Sequence, residues 1–206
     1  MMANPAFWTR IADSYAASPV RDPDAYEATL ERVRSYLRKD DCVLELGAGT
    51  GTTSTKLADA VAHYTVTDFS EGMIRIAKER TAGFDNITVR QAEASDPGTW
   101  DNGYEAVMAF SLLHLVDDLD ATLRSVHRMV KPGGYFISKT VCLTGKWTLL
   151  KAVLPVMRLF DKAPAKVAFL RPSELEGRIE AAGFRIIETG NYPNSPIARF
   201  VVAEKL

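Results

Sequence analysis

An α/β fold is predicted for this chain, with a doubly wound, seven-stranded, mostly parallel sheet and one antiparallel strand. Three observations carry that expectation. From about residue 24 the hydrophobic period switches repeatedly between strand-like and helix-like segments, as a sheet covered by helices requires. A glycine-rich turn joins the first apolar strand directly to the next helical segment. The last two strand-like segments are only about ten residues apart, too close for a helical crossover, so they are expected to pair antiparallel.

The elements follow in order. Tyr26, Leu30, Val33 and Leu37 recur at helical spacing after Asp22-Pro23, and Cys42 to Leu46 reads as a short strand. Leu57, Ala58, Val61 and Ala62 line the next helix, Tyr64 to Thr67 is a second strand, and Ser70 is placed to cap a helix over Glu71 to Arg80. Ile87 to Val89 and Ala106 to Phe110 are the third and fourth strands. Leu119, Leu123, Val126 and Val130 form a helical stripe, and Tyr135 to Val141 is the fifth strand, after Lys131-Pro132-Gly133-Gly134. Ser173 and Glu176 have capping-box spacing ahead of Leu175, Ile179 and Ala182, Gly183 supplies the stop, and Phe184 to Ile187 and Ile197 to Ala203 complete the sheet.

With 206 residues, 47% of them hydrophobic, one well-buried domain is expected over 1–206. Its parts read as a helical arm over 1–40, a core over 42–141, an insertion over 142–171 and a closing helix with a strand pair over 172–206. Lysine and arginine total 25 against 26 acids, so no long-range field gathers nucleic acid. The N-terminus lacks a basic region followed by an apolar one, and no apolar run reaches the ~18 residues of a transmembrane helix, so a cytoplasmic protein is expected. Cys42 and Cys142 both sit beside strands and read as buried free thiols rather than a disulfide or metal site. His63 and His127 have no partner at metal-ligand spacing, so no metal is expected.

The chemistry gathers at Glu45-Leu46-Gly47-Ala48-Gly49-Thr50-Gly51. Three alternate glycines at a strand-to-helix turn let the backbone approach a ligand closely. Asp68 ends the second strand 19 residues after Gly49, where a carboxylate can accept hydrogen bonds from ribose hydroxyls. The competing readings are a bare tight turn, with Asp68 only favouring the helix after it, or a dinucleotide site. Two features oppose a dinucleotide: the third glycine comes one residue early, and Glu45 sets a negative charge where a pyrophosphate would sit.

This acidic, apolar, Gly-x-Gly-x-Gly run resembles the first motif of the class I S-adenosylmethionine-dependent methyltransferases, which share a Rossmann-like sheet. The resemblance continues in order through Asp68-Phe69-Ser70 with Met73, Ala92-Glu93-Ala94, Ser111-Leu112-Leu113-His114 and Lys131-Pro132-Gly133-Gly134, spanning residues 42 to 141. It implies that Gly47, Gly49 and Gly51, with Ala48 and Thr50 between them, admit the methionine part of S-adenosylmethionine. Glu45 would orient its ammonium group and Asp68 would hold its ribose. Glu93 would face the adenine amino group, at a position where the family more often has Asp, with Ala92 and Ala94 beside it; a surface-loop role competes. Phe69 and Met73 would pack against adenine, and Ser111 would line the floor near the methionine.

The implied reaction is methyl transfer to a small molecule by in-line displacement, with S-adenosylhomocysteine as product. Much of the rate would come from positioning the nucleophile. His114 lies just beyond the fourth strand, at the carboxyl edge of the sheet, and is the candidate general base; a loop-capping or packing histidine is the alternative. Phe7 to Ala12 with Tyr15 resembles the arm that covers the cofactor in small members of the family, so Tyr15 joins the candidate cofactor contacts; plain packing competes. The insertion is apolar nearly all round from Trp147 to Phe160, should kink at Pro155, and carries six basic residues against one acid between Cys142 and Arg171. It reads as a lid selecting an apolar or weakly acidic acceptor, or as a homodimer interface, a cover for the sheet edge, or a membrane-surface element. The rival functions are a cofactor-binding sensor or partner subunit without catalysis, and an NAD(P)-dependent oxidoreductase.

Overall fold

The computed structural model describes residues 5–95 and 103–206; residues 1–4 of the expected arm and 96–102 of the expected core lie outside them. Seven strands are formed, β1 (Cys42–Leu46), β2 (His63–Asp68), β3 (Ile87–Gln91), β4 (Tyr104–Phe110), β5 (Val130–Cys142), β6 (Phe184–Asn194) and β7 (Ile197–Lys205). They lie in one sheet in the order β3-β2-β1-β4-β5-β7-β6. Pairing is parallel from β3 through β5, and β7 runs antiparallel to both β5 and β6. The expected mostly parallel sheet with one reversed strand is therefore the one formed. Strand order reverses direction between β1 and β4, and a crevice for ligands opens outside the carboxyl ends of strands at such a switch point.

Both faces of the sheet are covered because its central strands are apolar on both sides. Along β1, Leu44 and Leu46 join a core with Leu123 and Val126 of α5 (Leu119–Met129) and Leu175 and Ile179 of α7 (Pro172–Ala181). Val43 joins the opposite core with Leu30 and Val33 of α2 (Pro23–Arg34), Leu57 of α3 (Thr52–Leu57) and Ala77 of α4 (Glu71–Thr81). Side chains alternate along a strand, so Glu45 points into this second, otherwise apolar layer, where it meets Tyr64 of β2. That alternation explains why the one acid of β1 is 2% exposed.

Several local expectations are corrected. The Ser173–Glu176 capping box does not form: Arg171 is the N-cap with Pro172 in the first turn, and the Glu176 carboxylate accepts from Arg199 Nε at 2.6 Å on β7. Cys42 is exposed, because β1 begins there at the sheet's amino edge; Cys142 is buried as expected, and burial pushes its thiol up to about 11. Val130 opens β5 rather than closing α5, and β5 includes the Lys131–Gly134 turn residues. The last two strands extend to Asn194 and Ile197, leaving only Ser195 and Pro196 between them. In the insertion, α6 (Leu150–Leu159) runs through Pro155 and buries only Leu154, so the segment is apolar but mostly uncovered.

The helix α1 (Pro5–Ala17) lies on α4 through Ala12, Met73 and Ile76, with Trp8 and Ala16 against them. Gly72 makes this approach possible: a Cβ there would stand 2.7 Å from the Thr9 carbonyl oxygen and 2.9 Å from Thr9 Cα. Backbone atoms cannot yield as a flexible side chain can. Gly72→Ala is therefore expected to cost about 1–3 kcal/mol, the usual scale of overpacking. It is read as a lower midpoint in urea denaturation, and an unchanged midpoint would show that α1 does not pack here.

Candidate active site

One cavity of about 320 Å³ opens at the switch point, within the size range of small-ligand sites. The turn after β1 contributes Gly47 and Gly49, the end of β2 contributes Asp68, and α1 contributes Trp8 and Tyr15. Phe69, Met73, Ala92, Glu93, Ala94 and Ser111 also line it, so ten of the residues singled out from sequence meet in one place. Glu45, Ala48, Thr50, Gly51 and His114 do not line it. The lining residues not named as site contacts from sequence are Trp8 of the arm, Ser95, Phe110, Leu112, Leu115, Val116, Asp117, Asp118, Ala121 and Thr122, together with Pro164, Ala165 and Lys166 of the insertion. Their separation in sequence hid them, since only the folded sheet brings residue 8 near residue 165.

The turn's geometry explains its glycines. Gly47, Gly49 and Gly51 all have left-handed backbones, with φ of 60°, 58° and 73°. They serve different ends. A Cβ on Gly51 would press on Ala77 of α4 at 3.3 Å, whereas one on Gly49 would meet only ordinary contacts, 3.9 Å from Met73 Sδ and 4.0 Å from Tyr15 Cε1. Gly49 is thus the point where bare backbone leaves room in the cavity, and Gly51 serves helix packing. Thr50 is engaged by Arg80, whose Nη1 donates to its carbonyl at 2.9 Å and to its hydroxyl at 2.6 Å.

Asp68 is held by the same turn. Its Oδ2 accepts from Gly49 N at 3.0 Å and its Oδ1 from Ser70 N at 2.9 Å. Ser70 caps α4 as expected, accepting from Met73 N at 3.3 Å. Burial raises the Asp68 pKa, opposed by the backbone N–H groups of Ser70, Gly49 and Phe69. A carboxylate has about four acceptor positions, so each oxygen keeps capacity for a ligand hydroxyl.

Glu45 lies beneath this floor, its Oε2 accepting from the Tyr64 hydroxyl at 2.8 Å. Burial pushes it up to about 8, the Tyr64 hydrogen bond opposes this, and the Asp68 charge adds to it. Although Tyr15 is 51% exposed over the whole residue, its phenol end is desolvated, which raises its pKa, followed by the charges of Asp68 and, where ionised, Glu45. Arg10 of the arm donates to the Asp161 carbonyl oxygen at 2.8 Å and pairs with its carboxylate at 3.5 Å, tying α1 to the insertion.

Two further residues mark the carboxyl edge. Ser111 ends β4 with φ of 55°, a conformation uncommon outside glycine, and its N–H donates to the Lys139 carbonyl at 2.7 Å. The Lys139 ammonium group donates to Thr29 Oγ1 at 3.0 Å and lies 6.0 Å from the Tyr26 ring centre. Burial lowers its pKa, and no carboxylate among the described residues forms an ion pair with it. His114 does not reach the cavity lining. Burial pushes it down to about 4, and its Nδ1 has no hydrogen-bond partner among the described residues, whereas a general base works best with a pKa near the operating pH. Among the described residues no cluster of side chains is arranged to hold a metal.

A family model described as a methyltransferase domain matches residues 20–189. A demethylmenaquinone methyltransferase from Clavibacter sepedonicus is 33% identical over 166 residues, covering 72% of this chain and 67% of that protein. The methyltransferase calH of Penicillium decumbens is 28% identical over 169 residues, covering 75% of this chain and 46% of that one. Fumosorinone synthetase from Cordyceps fumosorosea is 38% identical over 105 residues, covering 46% of this chain but only 2% of its own length. The chain thus spans a small fraction of the large synthases it matches. Among solved structures, a complex of DhpI with S-adenosylhomocysteine superposes with a TM-score of 0.75 and 26% identity, covering 98% of this chain and 94% of that one. A possible histamine N-methyltransferase from Thermotoga maritima shares the fold, with a TM-score of 0.72 and 21% identity over 98% of this chain and 99% of that one. The glycine turn, the acid ending β2 and the 3-2-1-4-5-7-6 sheet agree with these matches: the chain belongs to the S-adenosylmethionine-dependent methyltransferases of the class I fold.

Proposed function

We propose that this chain transfers a methyl group from S-adenosylmethionine to a small apolar or weakly acidic molecule. The observation that carries this reading is the single cavity joining Gly49, Asp68, Tyr15 and Ser111 at the switch point of the sheet. When bound, the cofactor supplies an activated sulfonium methyl group. The residues' work is to bind and position. Gly49 admits the methionine part, Glu45 offers a buried acid toward its ammonium group, Asp68 accepts from the ribose hydroxyls, and Phe69, Met73 and Leu112 enclose the adenine, with Glu93 at its rim. Trp8 and Tyr15 of the arm, with Pro164 and Ala165 of the insertion, exclude water from above.

The acceptor assignment rests on the apolar walls at Leu115 and Val116 and on Lys166 of the insertion, the cation among the described residues that line the cavity. A weakly acidic oxygen acceptor would gain from such a cation because lowering its pKa supplies the nucleophile without a dedicated base. His114 is left out of this chemistry. The C. sepedonicus relative, named for demethylmenaquinone, agrees with an apolar acceptor.

Titration calorimetry with S-adenosylhomocysteine and with NAD tests the cofactor, and only the first is expected to bind. A panel of phenols, quinols and carboxylic acids, read by release of S-adenosylhomocysteine from S-adenosylmethionine, then tests the acceptor. Turnover on phenols or quinols, reduced more than tenfold by Lys166→Met without loss of cofactor affinity, is the expected result. Cofactor binding with no turnover across the panel would favour the sensor reading instead.

A further inference from the structure

The insertion carries a surface that the cavity does not use. Between residues 145 and 166, Leu149, Val153, Val156 and Phe160 recur at steps of four, three and four, so they share one face of the turn Gly145–Leu149 and α6. All four are exposed, as is Leu159; Leu149 is 73% and Leu159 81% exposed. Such a continuous apolar face outside the core marks a binding surface rather than scattered exposure. Lys146 and Lys162 stand at its two ends, and the one acid of the segment, Asp161, is already engaged by Arg10. Lys151 and Arg158 lie on the opposite side of α6, the first 5.0 Å from the Phe169 ring centre and the second donating to the Pro164 carbonyl at 3.0 Å, and Lys166 donates to the Asp117 carbonyl. No carboxylate among the described residues pairs with Lys146, Lys151, Arg158 or Lys162.

Charge decides between occupants. A second copy docked about a two-fold axis would bring these end lysines against one another, and like charges facing each other across an interface oppose association. An anionic bilayer surface complements both features, with acyl chains receiving the apolar stripe and headgroups the lysines. Pro164, Ala165 and Lys166 follow directly and line the cavity, so a docked α6 would place that wall beside the lipid. We infer that α6 and the turn before it form a membrane-surface anchor for anionic lipid, seated by Leu149, Val153, Val156 and Phe160 and held by Lys146 and Lys162.

The test is sedimentation of the full chain with vesicles of phosphatidylcholine alone or enriched in phosphatidylglycerol. Binding to the anionic vesicles only, weakened by salt, is expected. The pair Val156→Glu with Phe160→Glu, and the pair Lys146→Glu with Lys162→Glu, are each expected to lose more than ~tenfold in partitioning, since each basic residue near such a surface matters by several-fold. These positions are exposed, so the melting temperature and S-adenosylhomocysteine affinity of the variants should stay near those of the parent, separating this surface from the cofactor reading. No binding to anionic vesicles, or binding that the variants leave intact, would overturn the inference. So would a dimer in light scattering that Val156→Glu with Phe160→Glu dissociates, which would assign the face to a second copy.

Discussion

Affinity for S-adenosylhomocysteine is expected to rise by nearly tenfold per pH unit through neutral pH, levelling near pH 8. The cause is Glu45. Enclosed in the layer between the sheet and α2, it is held up to about 8 by loss of solvent, so the ligand-free protein carries it protonated at neutral pH. A ligand ammonium group beside it favours the carboxylate and must displace that proton. One proton should therefore be released per ligand bound well below pH 8, and few above it. Calorimetry in two buffers of different ionisation enthalpy counts the proton, and Glu45→Gln should abolish both the release and the slope. A pH-independent affinity would separate Glu45 from the ammonium group.

The same group makes a stability statement with a definite sign. Its folded pKa lies above the ordinary 4.5, so the folded state holds a proton that the unfolded chain gives up. That contribution is complete below about pH 4.5 and is lost as pH rises through about 8. The raised Asp68 pKa acts in the same direction. The ligand-free protein should consequently lose part of its melting temperature between pH 5 and 8. Bound ligand reverses the trend, because it stabilises the charged form that burial alone penalises.

How much of this was legible in the sequence depends on how local each cause is. The turn from Gly47 to Gly51 was readable because a left-handed backbone is a property of the residues that adopt it. Ser70 was readable for the same reason, since a cap bonds only three residues ahead. Cys42 and the Ser173 to Glu176 spacing misled, each through a tertiary fact. Cys42 stands where β1 starts, and Glu176 finds Arg199 on a strand formed over twenty residues later. The Glu45 motif announced an acid but not its protonation, which depends on Tyr64 and the layer above. Ser111 was named from the motif, but its left-handed backbone became visible only when β4 and β5 paired, since the Ser111 N–H donates to the Lys139 carbonyl. The mostly parallel sheet with one reversed strand followed from the alternation of periods and the short last connection, a pattern that survives local error because every element contributes to it; the order of the strands did not.

Asp68→Ala is expected to weaken S-adenosylhomocysteine binding by at least ~100-fold, because two hydrogen bonds to a charged acceptor are worth about 1.5–3 kcal/mol each. Loss of affinity alone would not assign the ribose, because the same carboxylate also secures Gly49 N and Ser70 N. Removing it disturbs the turn whether or not it touches a ligand. The two effects separate when the ligand is changed together with the protein. The parent protein should discriminate strongly against an analogue lacking the 2′-hydroxyl, whereas Asp68→Ala should bind both forms almost equally, its partner for that hydroxyl being gone. If the variant instead weakens both ligands by the same factor and keeps the parent's discrimination, Asp68 supports the turn and some other group reads the ribose. Asp68→Asn refines the comparison, since an amide keeps one acceptor oxygen for the backbone or the diol but not the full set, and should fall between the parent and the alanine variant.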